Sequence, residues 1–323
     1  MEPEHIFYLI FGIFAVLAFI ALIIFITSYV CFYLTFYSPI SRKQKDNGTS
    51  KKVEFIFKNH QDVLDKWTNT MKSLNYEDVY IKSFDGLTLH AKYYKAKDGA
   101  PVEILFHGYK GSADRDMNGA VIRAIEGGRN ALAVDQRAGG TSGGTVISFG
   151  INECRDSLKW IDYVIESIDK DAKIILCGVS MGASTVLNAT GFDLPKNVAC
   201  VLGDCGYTSA KEMIFQTIKE MHLSPKIMYP FVRMGARLYG HFNIDEFNTI
   251  DMVKKSKTPT IIFHGDSDTF VPSSMGQRLY DNCSAENKRL VLIKGAGHAA
   301  AYLVETELYK NEYNKFLDSV LGE

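Results

Sequence analysis

The first contrast along the chain is between a run with no charge and everything that follows. From Ile6 to Ser41 the sequence reads IFYLIFGIFAVLAFIALIIFITSYVCFYLTFYSPIS, without a charged side chain. About 20 apolar residues cross the hydrocarbon core of a bilayer as a helix. Ile6 to Ile26 supplies that length, with Tyr29, Tyr33 and Tyr37 beyond it as interface aromatics. The pattern predicts an uncleaved transmembrane anchor in residues 1–41. A cleaved signal peptide needs a basic start, a shorter apolar stretch and a small-residue cleavage site, and none of the three is found.

Residues 42–75 read as a polar linker and an approach helix, in which Val63, Leu64, Trp67 and Met71 recur at helical spacing. From residue 76 the pattern is that of strands. DVYIKSF and LTLHAKYY alternate around Asp85-Gly86, a hairpin signal. The runs VEILFHG, NALAVDQR, KIILCGVS, NVACVLGD, TPTIIFHGD and KRLVLIKGAGH follow, each short, apolar and bounded by Gly, Asp or Pro, with helical stretches such as NECRDSLKWIDYVIESI between them. A hairpin followed by strand and helix alternation implies an α/β domain over residues 76–323, a mostly parallel sheet flanked by helices. The stretch from about 207 to 256 is too long for one crossover helix, so it predicts a small helical insertion bordering a pocket. Met221, Leu223, Ile227, Met228, Tyr229, Phe231 and Met234 are its expected apolar lining.

Composition narrows this picture. With 46% hydrophobic and 23% charged residues the chain can bury a large core, and a formal charge of -1 gives no bias toward nucleic acid. Arg42, Lys43, Lys45, Lys51 and Lys52 after the span, against Glu2 and Glu4 before it, place the domain on the cytoplasmic side by the positive-inside rule. Cys31, Cys154, Cys177, Cys200, Cys205 and Cys283 lack the spacing of a zinc or thioredoxin-like site and read as free, mostly buried thiols.

The chemistry begins at CGVSMGAS. Gly-x-Ser-x-Gly between a strand and a helix puts Ser180 on a strained turn with its hydroxyl raised above the sheet, where the helix N-terminus favours developing negative charge. A serine hydroxyl needs a base and an orienting acid. His298, after the last strand in KGAGHAA, and Asp268, in FHGDSDTFVP, follow in the chain order Ser, Asp, His. Asp266 competes for the acid's place. Asp268 is preferred because it stands three before Val271-Pro272, which leaves Asp266 to shape the turn. His107 and His264 come in the wrong order and read as structural. The N–H groups of Tyr109 and Met181 are the expected oxyanion donors. The glycines of DQRAGGTSGG, Asp135 to Gly144, match neither phosphate-binding pattern, and Arg137 there reads as structural.

With FHGYKGS, VDQRAGGTSGG, GVSMGAS, FHGDSDTFVP and GAGHA in this order, the chain resembles the alpha/beta-hydrolases. Within them it is similar to the membrane-anchored serine hydrolase branch near esterases and serine aminopeptidases. The resemblance covers roughly Asn75 to the C-terminus. It implies ester hydrolysis through an acyl-enzyme on Ser180, with His298 as base and Asp268 as orienting acid, without metal or organic cofactor. The alternatives are a peptidase resembling the prolyl oligopeptidase group, and a silent fold used as a binding module. On this reading the anchor is only a tether, and a chain starting near Val53 would retain activity.

Overall fold

The computed structural model describes residues 2–39 and 59–322. The basic linker and the start of the approach segment therefore lie outside the described residues. Helix α1, Pro3–Thr35, occupies the apolar run, and α2, Gln61–Ser73, carries the periodic positions that end on buried Met71.

Eight strands form one sheet: β1 Glu77–Lys82, β2 Thr88–Tyr94, β3 Val102–Phe106, β4 Asn130–Asp135, β5 Ile174–Val179, β6 Val198–Asp204, β7 Thr260–Gly265 and β8 Lys288–Ile293. Their spatial order is β1-β2-β4-β3-β5-β6-β7-β8. The β1–β2 hairpin joins antiparallel to β4, and every pairing from β4 to β8 is parallel. Strands β3, β4 and β7 are buried throughout, as parallel strands covered on both faces must be.

The covering helices are α3 Asn118–Glu126, α4 Ile151–Tyr163, α5 Met181–Ala189, α6 Ala210–Glu220, α7 Pro225–Leu238, α8 Thr249–Val253, α9 Ser273–Asn282 and α10 Thr306–Leu321. One core holds Trp160, Val186 and Leu187 against one sheet face, and a second holds Phe263, Tyr309 and Tyr313 against the other. Helices α6, α7 and α8 fall between β6 and β7, where the long insertion is expected. All six cysteines are free and buried.

Buried charge ties the loops to this frame. Arg137 pairs with Asp156 at 2.7 Å and with both oxygens of Asp85 at 3.0 Å, clamping the hairpin turn to α4. Asp135 accepts from the N–H groups of Ala113 and Thr141, each at 2.9 Å, and shares a contact with His90 at 3.0 Å. The glycine-rich element is thus a structural knot, with Arg137 in the role its sequence suggests.

A tether alone does not describe α1. Its last turns pack into the domain: Ser28, Cys31 and Phe32 are buried, and Phe36 is fully buried between Phe149 and Phe242 at ring distances of 5.9 and 5.2 Å. The backbone then pairs with the loop before α4. Ser38 N–H donates to the Thr145 carbonyl at 2.8 Å, and Ile147 N–H donates to the Phe36 carbonyl at 2.9 Å. The difference from expectation is physical. A helix that is apolar all round carries no sequence mark of the face that meets protein rather than lipid.

Candidate active site

Strand β5 ends where the chain must reverse into α5, and Ser180 makes that turn with φ 55° and ψ −115°. Such a conformation is strained for a residue with a side chain. Backbone contacts hold it: Ser180 N–H donates to the Asp204 carbonyl at 2.8 Å, and Ser184 N–H donates to the Ser180 carbonyl at 3.1 Å. The flanking glycines are required, because a Cβ on Gly178 would collide with the Gly182 backbone and one on Gly182 with the Phe106 carbonyl. The turn presses α5 onto β3 and leaves Oγ at the carboxyl end of the sheet, where open α/β sheets take their ligands.

His298, in the loop after β8, places Nε2 2.9 Å from Ser180 Oγ and Nδ1 2.8 Å from Asp268 Oδ2. Asp268 is fixed in turn, its Oδ1 accepting from the N–H groups of Phe270 at 2.9 Å and Val271 at 2.8 Å. Burial alone would raise the Asp268 carboxyl. His264, His298 and the Val271 N–H outweigh it and hold the group at about 2, so it stays ionised through the neutral range. Asp266 stands apart, accepting from Ser267 Oγ and from Gly295 N–H at 2.8 Å, and shapes the turn. His264 bonds the Val271 carbonyl through Nε2 at 2.8 Å, which braces the acid's loop.

After β3, the turn carrying Tyr109 runs close over Ser180: a Cβ on Gly108 would stand 3.6 Å from Ser180 Cβ. Met181 N–H opens α5, where a helix has no acceptor of its own. His107 locks this turn, with Nδ1 bonded to the Gly108 carbonyl at 2.8 Å and Nε2 accepting from Gln136 N–H at 3.0 Å. Tyr109 adds a link that no motif announces. Its hydroxyl donates to the Thr35 carbonyl of α1 at 2.6 Å.

The apolar wall beside Ser180 differs from the expected one. Met181 clusters with Ile147, Tyr207, Met213, Val271 and Met275, and Phe149 and Phe270 close the group. The Phe270 ring lies edge-on to His298 at 4.9 Å. Of the expected lining, Met221, Leu223, Ile227 and Met234 are exposed on the outside of the insertion. The reason is the docking of α1: α7 gives its inner face, Tyr229, Val232, Gly235 and Ala236, to that helix and to α6, which turns its other apolar stripe outward.

Sequence reasoning gave no role to Asp204, the last residue of β6, whose carbonyl accepts the Ser180 N–H, nor to its neighbour Cys205 beyond that of a buried thiol. Burial drives the Asp204 carboxyl up to about 6, against the pull of His264, a Tyr309 hydrogen bond and His298. Cys205, Asp268 and His298 bring three potential metal donors within 4.8 Å. They do not suit a metal: burial keeps the thiol protonated, and His298 and Asp268 bind each other. The strand-ending GD of NVACVLGD was the available signal for Asp204.

Comparisons with known proteins agree with this architecture. A family described as "Serine aminopeptidase, S33" matches residues 216–306, less than a third of the chain, which includes Asp268 and His298 but begins after Ser180. An uncharacterized protein of Bacillus subtilis is 26% identical over 194 residues, covering 60% of this chain and 63% of that protein, so the chain spans less than two thirds of this relative's length. The alpha/beta hydrolase domain-containing protein WAV2 of Arabidopsis thaliana is 23% identical over 268 residues, 78% of this chain and 81% of that protein. Among solved structures, an esterase of Pyrococcus furiosus superposes with a TM-score of 0.64 at 24% identity, covering 77% of this chain and 92% of that one. The chain has the alpha/beta-hydrolase fold. Est1E of Butyrivibrio proteoclasticus, solved with ferulic acid bound, shares that fold at 21% identity, with a TM-score of 0.60 over 76% of this chain and 100% of that one.

Proposed function

We propose that the protein is a membrane-anchored serine hydrolase that cleaves carboxylic esters through an acyl-enzyme on Ser180. The observation that carries this is the relay Ser180 Oγ, His298 and Asp268, joined at 2.9 and 2.8 Å across a strained strand-to-helix turn. His298 Nε2 takes the Ser180 proton as Oγ adds to the ester carbon, while Asp268 holds the Nδ1 proton and the ring's orientation. The N–H groups of Tyr109 and Met181 face the oxyanion. The C–O bond then breaks, the proton passes from Nε2 to the leaving alkoxide, and the alcohol departs. Water then gives a proton to Nε2 as its oxygen adds to the acyl carbon, the C–Oγ bond breaks, the proton passes from Nε2 to Ser180 Oγ, and the acid departs. No cofactor or nucleic acid enters this scheme.

The apolar and aromatic wall around Met181 supports an acyl group as the part bound. The match to serine aminopeptidases favours a second reading, hydrolysis of a peptide by the same relay. A fluorophosphonate probe followed by graded p-nitrophenyl esters and amide substrates separates the readings. Labelling with ester turnover supports the first, amide turnover of equal efficiency supports the second, and no labelling of folded protein removes both.

The apolar helix supports a single membrane span, and the five basic residues after it support a cytoplasmic domain. Protease added to intact cells should spare the domain. Its cleavage there would reverse the orientation.

A further inference from the structure

We propose that the C-terminal end of α7 is a second membrane-contacting element, seated at the headgroup level beside α1, and that the site therefore takes its ester from lipid held in the adjoining leaflet. The substrate half of this rests on the hydrolase reading above. Side chains from Pro3 to Ile23 are exposed, and protein begins to cover α1 at Ile24. At about 1.5 Å per residue the bare stretch is about 30 Å long, the thickness of a bilayer's hydrocarbon core. The level of Phe25 is thus the membrane boundary.

The end of α7 sits at that level. Tyr239 donates through its hydroxyl to the Phe25 carbonyl at 3.3 Å and meets the Tyr29 ring edge-on at 5.2 Å. One turn back, Gly235 lies so close to the Ser28 carbonyl and Phe32 that a Cβ would collide with both. Helix α7 therefore runs antiparallel to α1 with its C-terminal end toward the bilayer. Its outward face there is apolar: Leu238 and Met234 are 43% and 37% exposed, and Ile227, three turns farther out, is 65% exposed. Arg233 and Arg237 flank this stripe on one side and are exposed, Arg233 paired with Asp245 at 3.0 Å and Arg237 donating to Asn243 Oδ1 at 3.3 Å. An apolar stripe beside cations, continuous with a membrane span, fits acyl chains below and anionic headgroups alongside. From Phe25 to Thr35, where α1 bonds Tyr109, is about 15 Å at about 1.5 Å per residue, so the Ser180 turn stands just over the headgroups.

The full chain is reconstituted in vesicles of phosphatidylcholine and phosphatidylglycerol. Contact is read by Leu238→Trp, next to the Tyr239 that bonds Phe25; its added fluorescence should be quenched by lipids brominated near the carboxyl end of the acyl chain. Emission unaffected by brominated lipid, or a blue shift that instead follows protein density in the bilayer and so marks a second copy, would overturn the proposal. Substrate delivery is read by turnover of a long-chain ester carried in the bilayer against water-soluble p-nitrophenyl acetate. Leu238→Glu and Met234→Glu should lower bilayer-ester turnover at least tenfold and acetate turnover less than twofold, with Ile227→Glu losing less than either. Equal loss on both esters, no loss on either, or the reverse depth order would overturn it. A parent protein active on acetate but silent on the bilayer ester would sink this inference and leave the hydrolase reading standing. A parent that neither turns over acetate nor takes a fluorophosphonate label would instead remove that reading, while the quenching result still decides membrane contact.

Discussion

The wall around Ser180 is built from two regions by different means. On one side stand the loops after β3, β5, β7 and β8, where each position is dictated by local chemistry: a turn only glycine permits at Gly178 and Gly182, a carboxylate ringed by N–H groups at Asp268, a ring held from both sides at His298. On the other side stands the junction of α1, α7 and the segment Thr145 to Phe149. It is held by aromatic packing and backbone pairing between residues far apart in sequence. The first region places the Ser180, His298 and Asp268 side chains through contacts that leave little room for change. The second places the first, and its contribution is measured in stability and alignment.

The largest effects should therefore fall in the loops. Ser180→Ala should lower ester turnover by about 10³-fold or more, without unfolding, since triad nucleophiles contribute on that scale. Asp268→Asn should cost more than Asp266→Asn, because only the former's carboxylate touches His298. Steady-state kinetics on variants with unchanged circular dichroism decide this, and the opposite ranking would move the acid to Asp266.

At the junction, Phe36→Ala removes a fully buried ring from contact with Phe149 and Phe242. Large-to-small changes at such sites cost about 3–5 kcal/mol, so the midpoint of denaturant unfolding in detergent should fall clearly while fluorophosphonate labelling of the remaining folded protein persists. A chain begun at Val53 loses the same ring together with the Ser38 and Phe36 backbone bonds. It should be less stable than the full chain, contrary to what a mere tether predicts. Equal stability of the two would restore the tether.

These regions differed in legibility for the same reason that they differ in physics. Each loop residue sits in a short motif whose glycines, acid or histidine have few conformational alternatives, so the sheet, its strands and the placing of Ser180, Asp268 and His298 near one another could be read from sequence. The face of α1 that docks carries Ser28, Cys31 and Phe32, and no charge or periodic polar stripe sets it apart from the exposed Phe25, Ile26 and Val30 beside them. Without that docking there was no way to see that α7 spends Tyr229 and Val232 on α1 and α6, and so Ile227 and Met234 were assigned to a pocket they do not line. Asp204 was legible as a strand end but not as a buried acid, because burial is a property of Tyr309 and the sheet around it.

Acidity separates the regions further, since the contacts that seat Phe36 and Ser38 of α1's end in the domain are backbone and aromatic and do not titrate. Asp204 has its carboxyl raised from 3.8 to about 6 by burial. A raised acid contributes stability that is fully present below about pH 4 and lost as pH rises through about 6. Asp268 is lowered from 3.8 to about 2, so its contribution is present above about pH 4 and lost as pH falls through about 2. Asp204→Asn should remove the first dependence, leaving stability between pH 4 and 7 flatter than in the parent by roughly 1–3 kcal/mol. Unfolding curves across that range test it, and an unchanged slope would mean that Asp204 is ionised throughout.

The smallest expected effect lies where the two regions touch. Tyr109 is the residue whose backbone N–H is proposed as an oxyanion donor, and its hydroxyl makes the bond to the Thr35 carbonyl at 2.6 Å. Tyr109→Phe keeps the ring beside Phe149 and beneath Lys110, where the parent contacts are 5.0 and 4.9 Å, and removes that bond. A hydrogen bond of this kind is worth about 1 kcal/mol. If it aligns the oxyanion turn, the loss appears in the transition state, so kcat should fall about three- to tenfold with KM nearly unchanged. A purely structural hydroxyl would instead lower the unfolding midpoint and leave kcat alone. The same substitution in a Phe36→Ala background decides whether α1 acts through this bond, because a junction already loosened has less alignment to lose, and the kcat penalty of Tyr109→Phe should then shrink toward unity.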